Sequence, residues 1–516
     1  ASHYLAAVEA APEAEDAREI AARARTMLAR AGERAAALAA PAEAERYFVQ
    51  AAELADEPLD EAALRERAGE MAWTGGNGEV ARRQLGRALA LFEAAGETHP
   101  VARVSARLGE VEWQSGELDT ALARMEQAFA VLAAEPHADV AALAAQLGRL
   151  HLFRGELDLA AERIETALAL AERLRLPETV SHALNTSAMI AHSRERPETA
   201  LALLRHALTV ALEHDLSAAA LRAHFNLAYL LSGADRHEEA LAHHESGLAL
   251  ARKVGNRFWE RLLLLNSAEP LLLLGRWDDA SARLDEVPTA ELSGVAGIAS
   301  VCLRAELESA RGRIAEAERA LAVGEQFERS PDVQERLSYE AAKAVVLQAR
   351  AQPAEALAAA EKTIESLDLQ GWRSPAARLG LVAAIEAALA LGELERAEQL
   401  IRSIEARPPG AAPEYLRAQA GRLQAAVLAA RGGQDEEIER QLRTAAATFR
   451  ELGLTFWTAV SDLELGEWLA RHGDGDEAAA LLAGARETFE RLRARPWLER
   501  ATAAGGTILH AVPATP

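Results

Sequence analysis

Along this chain, helix-length runs in which apolar positions return every three or four residues alternate with short polar breaks, and the breaks themselves recur. Gly116-Glu-Leu-Asp-Thr-Ala121, Gly155-Glu-Leu-Asp-Leu-Ala160, Gly275-Arg-Trp-Asp-Asp-Ala280, Gly312-Arg-Ile-Ala-Glu-Ala317 and Gly392-Glu-Leu-Glu-Arg-Ala397 are of this kind. Each joins a glycine that ends one helix to residues, mostly acidic, that suit the positively polarised start of the next. With the final small residue as anchor, the series runs Ala44, Ala81, Ala121, Ala160, Ala200, Ala240, Ala280, Ala317, Ala356, Ala397, Ile438 and Ala478, at intervals of 37 to 41 residues. Twelve residues before every anchor stands Gly or Ala, with Ile385 the exception. Four residues after it a larger side chain is usual, as at Phe48, Leu85, Met125, Ile164 and Leu482; seven after it the residue is mostly small again. Small residues at fixed offsets let helix backbones approach while larger ones fill the grooves, so the pattern predicts about twelve antiparallel helix pairs.

This spacing resembles the tetratricopeptide repeat, and the resemblance implies an all-α fold, a superhelical solenoid of stacked helix pairs. The minimal repeat has about 34 residues. The additional ones here fall in longer helices and in connections such as Leu174-Arg-Leu-Pro177, His214-Asp-Leu-Ser217 and Val254-Gly-Asn256. The expected organisation is an N-terminal cap and junction over 1–30, the repeat array over 31–490, and a capping helix with a frayed tail over 491–516. No linker divides the chain; Arg407-Pro-Pro-Gly-Ala-Ala-Pro413 is the longest irregular stretch. Pro177, Pro197, Pro270 and Pro353 are expected at helix starts or kinks.

Composition narrows the functions. Of 516 residues half are hydrophobic but only 4% aromatic, which fits alanine-mediated helix contacts recurring at every repeat. The net charge of −23 repels phosphate backbones and anionic lipid, so direct nucleic-acid and membrane binding are not expected. No apolar run reaches the length of about 18 residues that spanning a bilayer requires. A single cysteine, Cys302, and no signal-peptide pattern point to a reducing, cytoplasmic setting. The chain opens on Ala1 rather than Met, which predicts a fragment of something longer.

Neither a G-x-x-x-x-G-K-[ST] phosphate loop nor an H-E-x-x-H or G-x-S-x-G motif occurs, and no catalytic residue, metal ligand set or cofactor is predicted. Gly473-Asp-Gly-Asp476 lacks the remaining ligands of a calcium loop and reads as a solvated turn. His182, His192, His206, His214, His224, His237, His243 and His244 crowd into 63 residues. A metal or proton sensor is one reading of them; without accompanying carboxylates at ligand spacing, packed or solvated histidines are the simpler one. Phe258, Trp259, Trp372, Phe456 and Trp457 are expected to plug the spaces between repeats.

A sharper feature lies fourteen residues before each anchor, where the sequence reads Arg30, Arg67, Arg107, Gln146, Thr186, Asn226 and Asn266 before turning apolar at Leu303. With Asn185 and Arg222 nearby, this is a polar ladder on the first helix of each pair, the helix that lines the concave groove in tetratricopeptide superhelices. Asn both donates and accepts and Arg donates in a fork, which suits the backbone of an extended peptide or a carboxylate. The candidate groove residues are therefore Arg67, Arg107, Gln146, Asn185, Arg222, Asn226 and Asn266. The competing reading is that these side chains cap or bridge neighbouring helices.

Residues 453–500, from Gly-Leu-Thr-Phe-Trp through Ala-Arg-Pro-Trp-Leu-Glu-Arg, resemble the C-terminal end of bacterial signalling proteins that join a class III cyclase, an AAA- or STAND-type ATPase and a tetratricopeptide array. His3 to Pro12 resembles the junction where the ATPase ends. Similar arrays follow the ATPase of LuxR-type regulators. The resemblance implies a non-enzymatic sensor that binds a protein, a peptide or a small ligand and regulates attached domains. An oligomerisation scaffold is the alternative. No cyclase or ATPase residue has a matching position here.

Overall fold

A computed structural model of the chain describes residues 17–38, 40–114, 117–134, 136–287, 294–330, 332–367, 371–408, 410–472 and 475–511. All regular structure among them is helical, arranged as antiparallel pairs in a tetratricopeptide-like solenoid, the fold class that the register predicts. The junction motif His3 to Pro12 and the first half of Gly473–Asp476 lie outside the described residues. Packing divides the chain into two compact units, Ala1–Ile190 and Ala191–Pro516, with the boundary inside the helix Pro177–Ser193.

Local chemistry accounts for where helices stop. Gly155, Gly255 and Gly392 take left-handed φ angles of 81°, 70° and 76°. After the first of these turns, Glu156 N–H donates to His151 O, satisfying a carbonyl the helix end would otherwise strand. Pro197 and Pro353 open helices, where the missing N–H has no partner to lose. Pro270 instead divides a first helix into Arg257–Asn266 and Ala268–Leu273.

The offsets read from sequence are contacts in space. A Cβ on Gly109 would lie 2.4 Å from Met125, and one on Gly148 2.5 Å from Ile164. Gly32 with Phe48, Gly69 with Leu85 and Gly466 with Leu482 repeat the arrangement. The small residue twelve before the anchor is thus the seat of the large residue four after it. In one repeat that large residue is His244, buried at 4% exposure.

The C-terminal unit has a property that the repeat pattern does not announce: it closes on itself. Turns within its early pairs meet the starts of first helices 140 to 215 residues later. Arg373 donates to Gly233 O (3.0 Å), Arg378 to Ser232 O (3.2 Å), the Tyr415 N–H to Asp235 Oδ2 (3.0 Å) and Thr455 Oγ1 to Leu274 O (3.1 Å). Arg407 pairs with Glu195 at 2.9 Å and Arg493 with Asp278 at 3.1 Å. Apolar groups seal the same seam, with the rings of Trp277 and Phe456 5.1 Å apart and those of Phe456 and Trp497 5.6 Å apart. Phe456 therefore plugs a contact between distant repeats as well as neighbours, while Phe258 is exposed.

Candidate recognition surface

In the N-terminal unit the ladder residues stand, half-buried, on a partly exposed stripe of successive first helices, Pro58–Thr74, Thr98–Gln114 and Ala138–Arg154. Each is held by a residue the sequence reading passed over, the glutamate three positions after the ladder residue of the preceding repeat. Arg67 pairs with Glu33 at 2.9 Å and with Glu70 at 3.7 Å; Arg107 pairs with Glu70. Gln146 bonds the Glu110 carboxyl, which burial pushes up while Arg107, Arg149 and that bond hold it down. Cation and carboxylate thus alternate from one repeat to the next. The overlooked signal was legible: eleven residues before the anchors stand Glu33, Glu70, Glu110, Glu269, Glu306 and Glu386.

Next to this ladder lies an apolar platform. Phe153 stacks on Trp113 with ring centroids 6.0 Å apart and an interplanar angle of 19°, and the Arg149 guanidinium lies 4.1 Å from the Trp113 ring centre. Phe153 is 61% exposed although aromatic. Asn185, on Pro177–Ser193, is buried.

The remaining ladder residues belong to the C-terminal unit and, like Arg67, Arg107 and Gln146, are half-buried. Arg222 and Asn226 share the helix Ser217–Gly233, and burial lowers the affinity of Arg222 for its proton. Asn266 donates to Leu262 O of its own helix (2.8 Å), just before the break at Pro270. Around them the first helices present polar groups to one another. Arg378 joins Glu269 (2.6 Å) and stands 3.6 Å from the buried Asp235. Burial, aided by the charge of Glu269 and opposed by Arg378, pushes the Glu306 carboxyl up to about 7. Arg422 lies between Glu386 (2.5 Å) and Glu464 (2.8 Å); burial works against its charge and the two carboxylates more than restore it. The interior of this unit is thus occupied by its own ion pairs.

The histidine cluster divides by environment. His224 and His243 face each other with Nδ1 atoms 3.1 Å apart, a contact in which one ring must accept. Burial pushes His224 down to about 4, with the charge of His243 adding to the effect, and pushes His237 down to about 3. His244 falls to about 3 through burial first and the neighbouring His243 and His224 second. Among the described residues no three His, Cys, Asp or Glu side chains come together as a metal site requires. A folded-state pKa below the unfolded value of about 6.5 means that the unfolded chain takes up the proton first. The stability contributed by neutral His244 is complete above that pH and is lost as pH falls toward about 3. His244→Leu, which restores the residue type usual at this register, should therefore flatten the acid limb of stability by about 1.4 kcal/mol per pH unit. Urea midpoints at pH 7.5, 6 and 5 check this; parallel pH profiles for the two proteins would rule it out.

No helix among the described residues is long and apolar enough to cross a membrane. No protein-family model and no curated protein matches the sequence. Among solved structures, the apo form of RapI aligns at 12% identity over 49% of this chain and 91% of its own, with a TM-score of 0.41. A signal transduction ATPase with numerous domains from Pyrococcus horikoshii, described as carrying a tetratricopeptide repeat sensor, aligns at 13% identity over 76% of this chain, with a TM-score of 0.43. This chain spans 54% of that protein's length. The human IFIT1 dimer with PPP-AAAA aligns at 12% identity over 80% of this chain and 91% of its own, with a TM-score of 0.43. These likenesses are in helix-pair architecture alone.

Proposed function

We propose that this chain is a non-enzymatic recognition module that binds a protein segment or a small ligand on the accessible faces of its first helices and regulates domains attached to it. The observation that carries this reading is the partly exposed ladder of the N-terminal unit, where Arg67, Arg107 and Gln146 repeat on successive helices beside an exposed aromatic platform. Arg222, Asn226 and Asn266 take part less directly, because their surroundings are packed with the unit's own polar groups. The proposed setting is the regulatory part of a signalling ATPase or cyclase, or of a LuxR-type regulator; the sequence of 453–500 supports it. Native mass spectrometry of the purified chain should identify a bound species that Arg107→Gln and Gln146→Ala release while far-UV circular dichroism stays unchanged. Retention of that species by both variants would remove the assignment.

A second reading, an oligomerisation scaffold, draws on the exposed apolar side chains Leu212, Val254 and Phe258 of the C-terminal unit. It requires the mass measured by light scattering to rise with protein concentration and to return to that of one chain on Phe258→Ser. A constant single-chain mass excludes it.

A further inference from the structure

On the N-terminal stripe the two signs of charge do not reach the surface equally. Arg103 holds Glu66 by two parallel bonds of 2.7 and 2.9 Å, and its side chain is 34% exposed where that of Glu66 is 7% exposed. Arg107 is 32% exposed against 19% for its partner Glu70. The order reverses where the exposed Glu33 meets Arg67, where Glu61 and Asp60 of the helix Pro58–Thr74 meet Arg65 and Arg25, and where Arg154 meets Asp119. On the helix Thr98–Gln114 the pairs are therefore oriented, with the carboxylates of Glu66 and Glu70 nearer the helix packing and the guanidinium groups of Arg103 and Arg107 further out. A chain of net charge −23 thus presents there a short strip of outward guanidinium groups, each paired with a less exposed carboxylate. Beside that strip lie Trp113 and Phe153, with Arg149 over the Trp113 ring.

We infer that this face binds an extended acidic protein segment, one aromatic or large aliphatic side chain seating on Phe153 and Trp113 while Asp or Glu side chains meet Arg107 and Arg103. The inference deepens the recognition reading above and rests on it. Spacing follows from geometry. Arg107 precedes Trp113 by six residues on one helix, about 9 Å along its axis, and Arg103 by ten, about 15 Å. An extended strand covers about 3.3 Å per residue, and because six and ten residues also turn the helix by about 240° and 280°, the carboxylates belong at least about three and at least four to five positions from the apolar residue. Carboxylates suit the outward guanidinium forks, and the exposed ring gives the segment an anchor of the kind that dominates interface energetics. A nucleic acid fits less well, because a long run of phosphates would extend beyond the strip onto an acidic protein.

The experiment is fluorescence anisotropy of the full chain with three labelled octamers: a peptide bearing Phe with Glu three and five positions away, the same peptide with Lys for Glu, and oligouridylate. The acidic peptide should bind at least about tenfold more tightly than the lysine peptide. Phe153→Ala should weaken it by about tenfold. Arg107→Gln should weaken it and lessen its salt dependence, with helicity unchanged in both variants. Because Phe153 is exposed, its loss leaves the fold intact. Equal binding of the two peptides, abolished by Phe153→Ala, overturns the acidic preference and leaves peptide recognition at this face standing. Tighter binding of oligouridylate overturns the proposal in favour of nucleic acid. Absence of binding by every probe, or binding indifferent to both substitutions, overturns it; release of a copurified species by Arg107→Gln then decides the broader reading separately.

Discussion

Gly148→Ala lowers the stability of the N-terminal unit by about 2 kcal/mol, although alanine is the better helix former. In an open helix interior the exchange gains about 0.5–1 kcal/mol, because alanine gives up less conformational freedom than glycine on folding. At Gly148 the new methyl would lie 2.5 Å from Ile164 Cγ1 and 3.1 Å from Ala160 O. The side chain can rotate only at the expense of its own packing, and the carbonyl belongs to a helix that cannot retreat without parting the pair. Gly86, also helical but with nothing within 4 Å of a Cβ, is the internal control: Gly86→Ala should stabilise. Hydrogen exchange in the helices Ala138–Arg154 and Leu157–Leu174 reads the first effect locally, and exchange in Gly78–Ala95 reads the second. If Gly148→Ala proves neutral or stabilising, the close seating of paired helices is not what maintains the register.

Arg378→Met should cost the C-terminal unit about 3–5 kcal/mol, the usual consequence of removing one partner from a buried ionic cluster. Arg378 is buried; its loss leaves Glu269 without its 2.6 Å contact, Ser232 O with only the backbone N–H of its own helix end and the Asp235 carboxylate without its nearest cation. Burial already pushes Asp235 up, and Arg378 is the first influence holding it down. In the variant the carboxyl moves further up. A folded pKa above the unfolded one penalises folding at high pH and ceases to do so once the group is protonated, so the deficit relative to wild type should shrink as pH falls through the raised Asp235 pKa of the variant. The decisive readout is where protection is lost. Exchange should accelerate together at 228–236 and at 373–380, segments that meet only across the seam. Acceleration confined to the helix Pro375–Leu391 would show that Arg378 stabilises its own helix and not the closure.

Much of the fold was legible because it is local. A seat at Gly109 and a plug at Met125 lie sixteen residues apart, and every repeat restates the relation, so a single chain carries its own alignment. The seam left no such trace. Asp235 and Tyr415 are brought together once, across 180 residues, and nothing in either segment's periodicity marks the pair. The ladder was legible in part. Arg67, Arg107 and Gln146 were visible as a polar series, yet their meaning depended on the glutamates Glu33, Glu70 and Glu110 of the preceding repeats, each one position beyond the small residue of its own repeat. For Asn266 the deciding fact was a proline four residues later, which ends the helix and turns the amide back to its own backbone.

The closed seam also separates the two units in time. Helix pairs that contact only their neighbours can form as soon as both members have left the ribosome, so the first 190 residues can acquire structure progressively during synthesis. The second unit has no such freedom. Thr455 and Trp497 are needed to cover surfaces made by Leu274 and, through Phe456, by Trp277, so those surfaces stay exposed until roughly two hundred further residues have emerged. Contacts of such long sequence separation slow folding because the loop must close before any of them is rewarded. Truncation therefore has unequal consequences: a chain ending after the pair Ala138–Arg154 and Leu157–Leu174 loses contacts to the next pair alone, whereas one ending near residue 450 leaves an apolar face uncovered and is the form expected to aggregate.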